Sequence, residues 1–257
     1  MGRWHFPRLI AHRCGGVLAP ENTLAGLRQA SLAGYGAVEF DVMLARDRTP
    51  VLIHDETLDR TTNGCGRVAD HDYAQLACLD ASAGFGAGFG PEPIPDLASA
   101  ARLCRQLNLW ANVELKPAEG SDQETGALVA WMVRRYWEGA DQWPLLSSFS
   151  EVALAAARKA APLLPRGLLV GVIPPDWQAR MARLGCVTLH CDAAVNPPER
   201  LAQVVASGTP VLCYTVNLRD MAWRLLEQGV SAVFTDRLDR LRPENLPETP
   251  SRKGLEP

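Results

Sequence analysis

The chain has 257 residues, 47% of them hydrophobic and 21% charged, with a formal net charge of -3. That length and balance exclude a disordered chain and leave room for one large core. The slight acidity excludes nucleic acid as the main partner, because such binding needs many Lys and Arg to neutralise phosphates.

The N-terminal stretch Met1 to Arg8 lacks the apolar run of a signal peptide, and Phe6 stands where a myristoylation motif needs Ser or Thr. No stretch nears the roughly 20 apolar residues of a membrane span. The seven cysteines are irregularly spaced with no Cys-x-x-Cys, which predicts reduced, buried thiols rather than a disulfide framework. A soluble, cytoplasmic protein that does not insert into membranes is expected.

The first strand is predicted at 9–12 and ends on His12-Arg13. A loop follows, with Asn22 as N-cap of a helix from Thr23 to about Leu32 that Gly34 and Gly36 stop. In the strand 38–44, Glu39 and Asp41 share one face and Val38, Phe40 and Val42 the other. A short polar turn leads to the strand 51–54, which ends on His54 and is predicted to run antiparallel, since a parallel return needs a longer crossover.

From Asp55 to Pro95 the pattern is irregular, with a short helix at 72–79 and a run of Gly and Phe at 84–90. Roughly forty residues without a long element mark a functional insertion or lid. Helices at 96–107, 122–138, 150–160, 176–184, 198–207 and 219–228 then alternate with strands at 110–115, 144–148, 167–172, 186–191, 210–215 and 231–235. Setting 51–54 aside as a hairpin arm leaves eight strands, the number that closes a TIM (β/α)8 barrel. One domain over 1–257 is expected, with 55–95 inserted in it. The open doubly wound alternative wants a Gly-rich phosphate loop, and Gly15-Gly16 is too short for one.

In a barrel, functional groups gather at the C-terminal strand ends. His12, Glu39, Asp41, Glu114 and Lys116 all fall near that mouth. An oxygen-only set, Glu39, Asp41 and Glu114, suits a hard cation such as Mg²⁺ or Ca²⁺ and not Zn²⁺. The competing reading is a salt-bridge network of these carboxylates with Arg13 and Lys116. His12 and His54 each end an apolar strand beside charged groups, and such a pair serves as general acid and base at a phosphate. Arg13 offers a planar fork to phosphate oxygens and Lys116 a point charge. His5, His71 and His190 are read as structural, although His190 ends a strand and reaches toward the mouth without a charged companion. Phe149, Trp177 and Tyr214 follow or end strands or begin a helix, and line either the pocket or the core. Ser147-Ser148 lacks a nucleophile-elbow pattern.

Ordered motifs run along nearly the whole chain: Ala11-His12-Arg13 with Ala19-Pro20-Glu21-Asn22-Thr23, Glu39-Phe40-Asp41, and His54-Asp55 with Leu58 to Gly64. Asn112 to Lys116, Leu146 to Phe149, Tyr214 to Asn217 and Phe234-Thr235-Asp236 continue them. Together they resemble the glycerophosphodiester phosphodiesterase family, and most of all its short cytosolic bacterial members linked to uptake of glycerol 3-phosphate. That resemblance implies a TIM barrel with a small insertion and one divalent cation at Glu39, Asp41 and Glu114. It further implies His12 and His54 as the acid/base pair, with Arg13 and Lys116 on the phosphate; of the strand-end aromatics, Phe149 and Tyr214 are expected at the substrate. The reaction implied is hydrolysis of small-molecule glycerophosphodiesters (glycerophosphocholine, glycerophosphoethanolamine and relatives) to sn-glycerol 3-phosphate and an alcohol. Two rivals remain: a lysophospholipase D or phospholipase-like diesterase for longer lipids, which wants an apolar groove or membrane-binding surface, and a non-catalytic phosphodiester-binding barrel. One departure stands out. Cys14 follows His12-Arg13 where the family usually has Gly. If the backbone there needs a positive φ or a close approach to ligand, a Cβ costs on the order of 1 kcal/mol or more, unless Gly15-Gly16 satisfy the motif instead. A thiol so placed also raises the prospect of sensitivity to thiol reagents.

Overall fold

A closed barrel of eight parallel strands organises the computed structural model, which describes residues 6–86 and 89–246. Its strands are β1 (Leu9–Ala11), β2 (Ala37–Leu44), β4 (Trp110–Leu115), β5 (Leu145–Ser148), β6 (Arg166–Val170), β7 (Thr188–Asp192), β8 (Val211–Tyr214) and β9 (Ala232–Thr235). Pairing of β1 with both β2 and β9 closes the ring. β3 (Pro50–Leu52) lies antiparallel on the far end of β2, as the short connecting turn predicts. The TIM barrel expected from the strand count is therefore the fold, with element bounds within about two residues of those read from the sequence for all but the short second helix.

Helices α1 (Leu24–Leu32), α3 (Leu97–Gln106), α4 (Asp122–Tyr136), α5 (Glu151–Ala160), α6 (Trp177–Leu184), α7 (Pro198–Ala206) and α8 (Arg219–Glu227) pack outside the barrel strands. Their starts follow local chemistry. Asp96 and Ser150 accept the backbone N–H three residues on, and Pro198 occupies the first turn of α7, where no intrahelical donor is lost. The α1 cap corrects the sequence expectation: Thr23, not Asn22, is the N-cap, its Oγ1 accepting the N–H of Gly26 at 3.1 Å. Asn22 has a φ of +56° and turns its side chain to the barrel instead.

Strand alternation splits the apolar residues into two shells. Val38, Phe40, Val42, Val113, Leu146, Leu189 and Val233 face the helices in one continuous core. Ile10, Ala37, Trp110, Leu145, Leu212, Ala232 and Phe234 fill the barrel interior as an apolar plug. Each of the larger of these side chains stabilises the fold by about 1.5–3 kcal/mol through removal from water, and each alanine by less. The plug leaves the polar residues of the next layer stranded above it. Gly167 makes room in that layer, since a Cβ there would lie 2.6 Å from both His190 Nε2 and Thr188 Oγ1.

Between β3 and α3, a 3-10 turn at Val68–Asp70 and the short helix α2 (Tyr73–Leu76) replace the predicted helix at 72–79. Leu58, Val68, Leu76 and Ile94 of this stretch form a separate small core with Met43, Val51 and Ile53 of the β2–β3 hairpin. The hairpin thus serves as the base of an annex beside the mouth. Of the sequence expectations, those for Met1 to His5 and for Ala87-Gly88 of the Gly/Phe run lie outside the described residues. Among the described residues, no helix is long and apolar enough to cross a membrane.

Candidate active site

The parallel register fixes the centre of the mouth. Glu39 pairs with Asn112 and Asp41 with Glu114, so three carboxylates converge over the plug from two neighbouring strands. One oxygen of each lies within 4.8 Å of the other two. That separation lets all three share one hard cation, whose oxygen ligands sit about 2.3–2.6 Å away.

Partners of this trio bear on both the cation and the salt-bridge readings. Glu39 Oε2 accepts the backbone N–H of Arg13 at 2.8 Å, and Asp41 Oδ2 accepts from Asn22 Nδ2 at 2.8 Å. Glu39 Oε1 is buried with no hydrogen-bond partner, as is Asn112 Oδ1 on the adjoining strand. Lys116 Nζ stands 3.9 Å from Asp41 and 3.7 Å from Glu114, and Arg13 Nε stands 3.9 Å from Asp41. These are long contacts for groups so deeply buried, and an uncompensated buried carboxylate is costly. Burial, then the neighbouring Asp41, pushes Glu39 well above its ordinary pKa and Glu114 up to about 8. Two carboxyls that resist ionisation, one with an orphaned buried oxygen, fit a divalent cation shared by the trio, with Lys116 and Arg13 at its edge.

Both histidines open onto the same cavity as the trio, a space of about 490 Å³. His12 follows β1, and its Nδ1 meets Asp236 Oδ1 at 2.6 Å; Asn217 Nδ2 donates to the other Asp236 oxygen at 2.9 Å. His12 Nε2 then points inward, 3.8 Å from Glu39 Oε2. His54 follows β3, with Nδ1 at 2.5 Å from Asp55 Oδ1. Arg60 grips Asp55 and reaches on to Glu21, which also accepts from Arg13 Nη1 at 3.1 Å. Each imidazole is therefore oriented by a carboxylate on Nδ1, leaving Nε2 for the cavity. Burial lowers the His54 pKa, against the opposing pull of Asp41 and Asp55, while Arg60 holds Asp55 far below the ordinary carboxylate range.

Arg13 lines the cavity, Lys116 lies on the adjoining groove beside His54 and Phe149, and Phe149 and Tyr214 line the cavity in an edge-to-face contact with centroids 6.0 Å apart. All nine residues singled out by sequence are thus brought to one mouth. Trp177 is not: it is buried among the core residues of α6. His190 is 1% exposed, is bound to Thr188 Oγ1 at 2.9 Å and is kept neutral by burial, with its pKa lowered to about 3; it nonetheless lines the cavity. Ser147 accepts from Asn112 and Ser148 donates to the Leu115 carbonyl, and both are buried, which disposes of a serine nucleophile. The cysteine expectation needs correction, because Cys65 and Cys78 are exposed.

Cys14 has a φ of +73°, so the backbone there does take the conformation that favours glycine. Its thiol, however, is fully buried in the core and burial pushes its pKa well up, which argues against the sensitivity to thiol reagents expected from sequence. Both neighbouring glycines are needed: a Cβ on Gly15 would lie 2.8 Å from Gly26 Cα, and one on Gly16, at φ +51°, 2.3 Å from the Asp236 carbonyl oxygen. Sequence reasoning missed the positioning groups Glu21, Asn22, Asp55, Arg60, Asn217 and Asp236. The only signal for them was their place in the ordered motifs.

The profile of the glycerophosphoryl diester phosphodiesterase family matches residues 12–240. A glycerophosphodiester phosphodiesterase of Caldanaerobacter subterraneus subsp. tengcongensis is 32% identical over 230 residues, spanning 89% of this chain and 93% of its own. Among solved structures, an Oleispira antarctica phosphodiesterase in complex with the product sn-glycerol-3-phosphate superposes with a TM-score of 0.86 at 39% identity, over 90% of this chain and 93% of its own. A glycerophosphodiester phosphodiesterase of Agrobacterium tumefaciens gives a TM-score of 0.74 at 26% identity, over 91% and 98% of the two chains. With the mouth geometry and these likenesses together, the chain belongs to the glycerophosphoryl diester phosphodiesterase family and is a phosphoric diester hydrolase.

Proposed function

We propose that this site hydrolyses small glycerophosphodiesters, such as glycerophosphocholine and glycerophosphoethanolamine, to sn-glycerol 3-phosphate and the free alcohol. The product named for the Oleispira structure supports that choice of substrate. The observation that carries the mechanism is that His12 and His54, each held by a carboxylate on Nδ1, open onto one cavity with the three carboxylates.

Glu39, Asp41 and Glu114 would hold one divalent ion, Mg²⁺ or Ca²⁺, which when bound offsets charge on the phosphate oxygens. Arg13 and Lys116 bring further positive charge to the same phosphate. One imidazole Nε2 takes the proton of the attacking hydroxyl, a bond forms from that oxygen to phosphorus, and the other imidazole gives a proton to the departing alcohol oxygen. The attacker is water, or the glycerol C2 hydroxyl, which would yield a five-membered cyclic phosphate that water then opens. Detection of cyclic glycerophosphate during turnover selects the second route. Phe149 and Tyr214 pack against the substrate's organic part.

Residues 55–95 read as an insertion in a single barrel domain, supported by their small separate core on the β2–β3 hairpin. The cytoplasmic assignment rests on the cysteine pattern of the sequence. An assay of glycerophosphocholine coupled to detection of glycerol 3-phosphate tests the function: turnover is expected, lost in EDTA and restored by Mg²⁺ or Ca²⁺. No turnover across a panel of glycerophosphodiesters would refute it.

A further inference from the structure

The arc of the mouth made by β7 and β8 holds a carboxylate that the reaction above does not use. Asp192 ends β7 and is the register partner of Tyr214, which ends β8, so both reach the cavity at one level. One Asp192 oxygen accepts the N–H of Ala194 at 2.7 Å. Among the described residues, the other oxygen takes no hydrogen bond and the carboxylate joins no ion pair, although it faces the cavity. The Tyr214 hydroxyl donates to the Val170 carbonyl at 2.8 Å, which locks its ring, and Phe149 meets that ring edge-on while 53% exposed. Tyr214 lies between the two acidic regions: after burial, Asp192 and Glu114 both push its pKa up.

An unpaired carboxylate beside two aromatic rings repels phosphate and attracts an alkylammonium, through direct charge attraction and through the ring faces. The basic groups for phosphate, Arg13 and Lys116, follow β1 and β4. A diester with its phosphate over that side has one of its two organic ends toward β7 and β8, and the free carboxylate there suits a cationic alcohol better than glycerol. In choline and ethanolamine esters, the charged nitrogen sits two carbons beyond the ester oxygen.

We infer that Asp192, with Tyr214 and Phe149, forms the head-group subsite and makes the enzyme select glycerophosphodiesters whose alcohol is cationic over those whose alcohol is neutral. This selectivity rests on the hydrolase reading and deepens it. The test compares kcat/KM for glycerophosphocholine and for glycerophosphoglycerol in the wild type and in Asp192→Asn, which keeps the size of the side chain and removes its charge. The ratio favouring glycerophosphocholine should fall about tenfold or more in the variant, chiefly through KM. A loss shared equally by both substrates would instead assign Asp192 to the common glycerol end, and an unchanged ratio with unchanged rates would leave it no role; either overturns the proposal. A binding measurement separates this from failure of the hydrolase reading. Tetramethylammonium chloride should raise the Tm of the wild type above that in equal sodium chloride, and should not do so in Asp192→Asn. Equal shifts in both proteins, or none in either, would sink the subsite whether or not the protein turns over these diesters.

Discussion

His12 is held by the closed barrel, whereas His54 is held by a hairpin outside it. The groups that orient His12 come from the strand that closes the ring: Asp236 follows β9, and Asn217 follows β8 and accepts the Asp236 N–H at 2.8 Å. The groups that orient His54 form a chain of ion pairs, Asp55 to Arg60 to Glu21, and Arg60 is 47% exposed. Exposed ion pairs are weak and screened by salt, and Arg60 is the exposed link of the His54 chain. Asp236, by contrast, is also held by two hydrogen bonds with Asn217. The same chemical device, a carboxylate on Nδ1, therefore rests on a rigid support at one imidazole and a softer one at the other. The active site straddles a stable ring and an annex with its own small core.

The largest expected effect removes either imidazole. His12→Ala and His54→Ala should each lower kcat on glycerophosphocholine by about a hundredfold or more. Near-normal turnover in one of them would show that the two histidines are not an acid/base pair. Next come the supports. Asp236→Asn should cost about ten- to a hundredfold in kcat with little change in KM, through misorientation of His12. Arg60→Ala should cost only about threefold, and wild-type sensitivity to added salt should shrink with it. If Arg60→Ala proved as damaging as Asp236→Asn, the contrast between rigid and soft supports would be wrong.

The ion-free cluster gives a smaller effect with a definite sign. Glu114 is raised from 4.5 to about 8, by burial first and then by Asp41, so between those values the folded chain holds a proton that the unfolded chain has released. Its contribution to stability is fullest at the acid end of that window and declines as pH rises to about 8. The Tm of chelator-treated protein should fall over this range more than that of Glu114→Gln, and added Mg²⁺ should raise it most at the alkaline end. A wild-type slope equal to that of the variant would contradict the assignment.

The smallest effect tests Cys14. Cys14→Gly relieves a positive φ by on the order of 1 kcal/mol and loses a buried thiol side chain of similar worth. Stability within about 1 kcal/mol of wild type is expected by denaturant titration, with activity retained. Thiol reagents should leave native activity intact even as they label the exposed Cys65 and Cys78.

What could be read in advance follows a physical divide. Strands and helices announced themselves by period, as in Val38 to Val42, where alternation put Glu39 and Asp41 on the inner face and their register with Asn112 and Glu114 did the rest. Charged residues at strand ends stood out against apolar runs, which is why His12, His54 and Lys116 were legible. Loop residues carry no period, so the sequence made Asn22 a helix cap when it clamps Asp41 from a left-handed turn. Asp192 ends a strand much as His12 follows one, but it lacks a charged neighbour, and only the cross-strand pairing with Tyr214 shows what it faces. Trp177 stays open between pocket and core in the sequence, which does not say which face of its helix is buried, and the core is where it packs.

Calorimetric titration of chelator-treated protein with Mg²⁺ or Ca²⁺, read beside activity in the same samples, tests the carboxylate centre most directly. One cation per chain should bind and restore an activity that chelation had abolished, and the Glu39→Gln/Glu114→Gln double variant should neither bind nor recover. Full turnover in the chelated wild type, or undiminished cation binding by the double variant, would contradict the site as described.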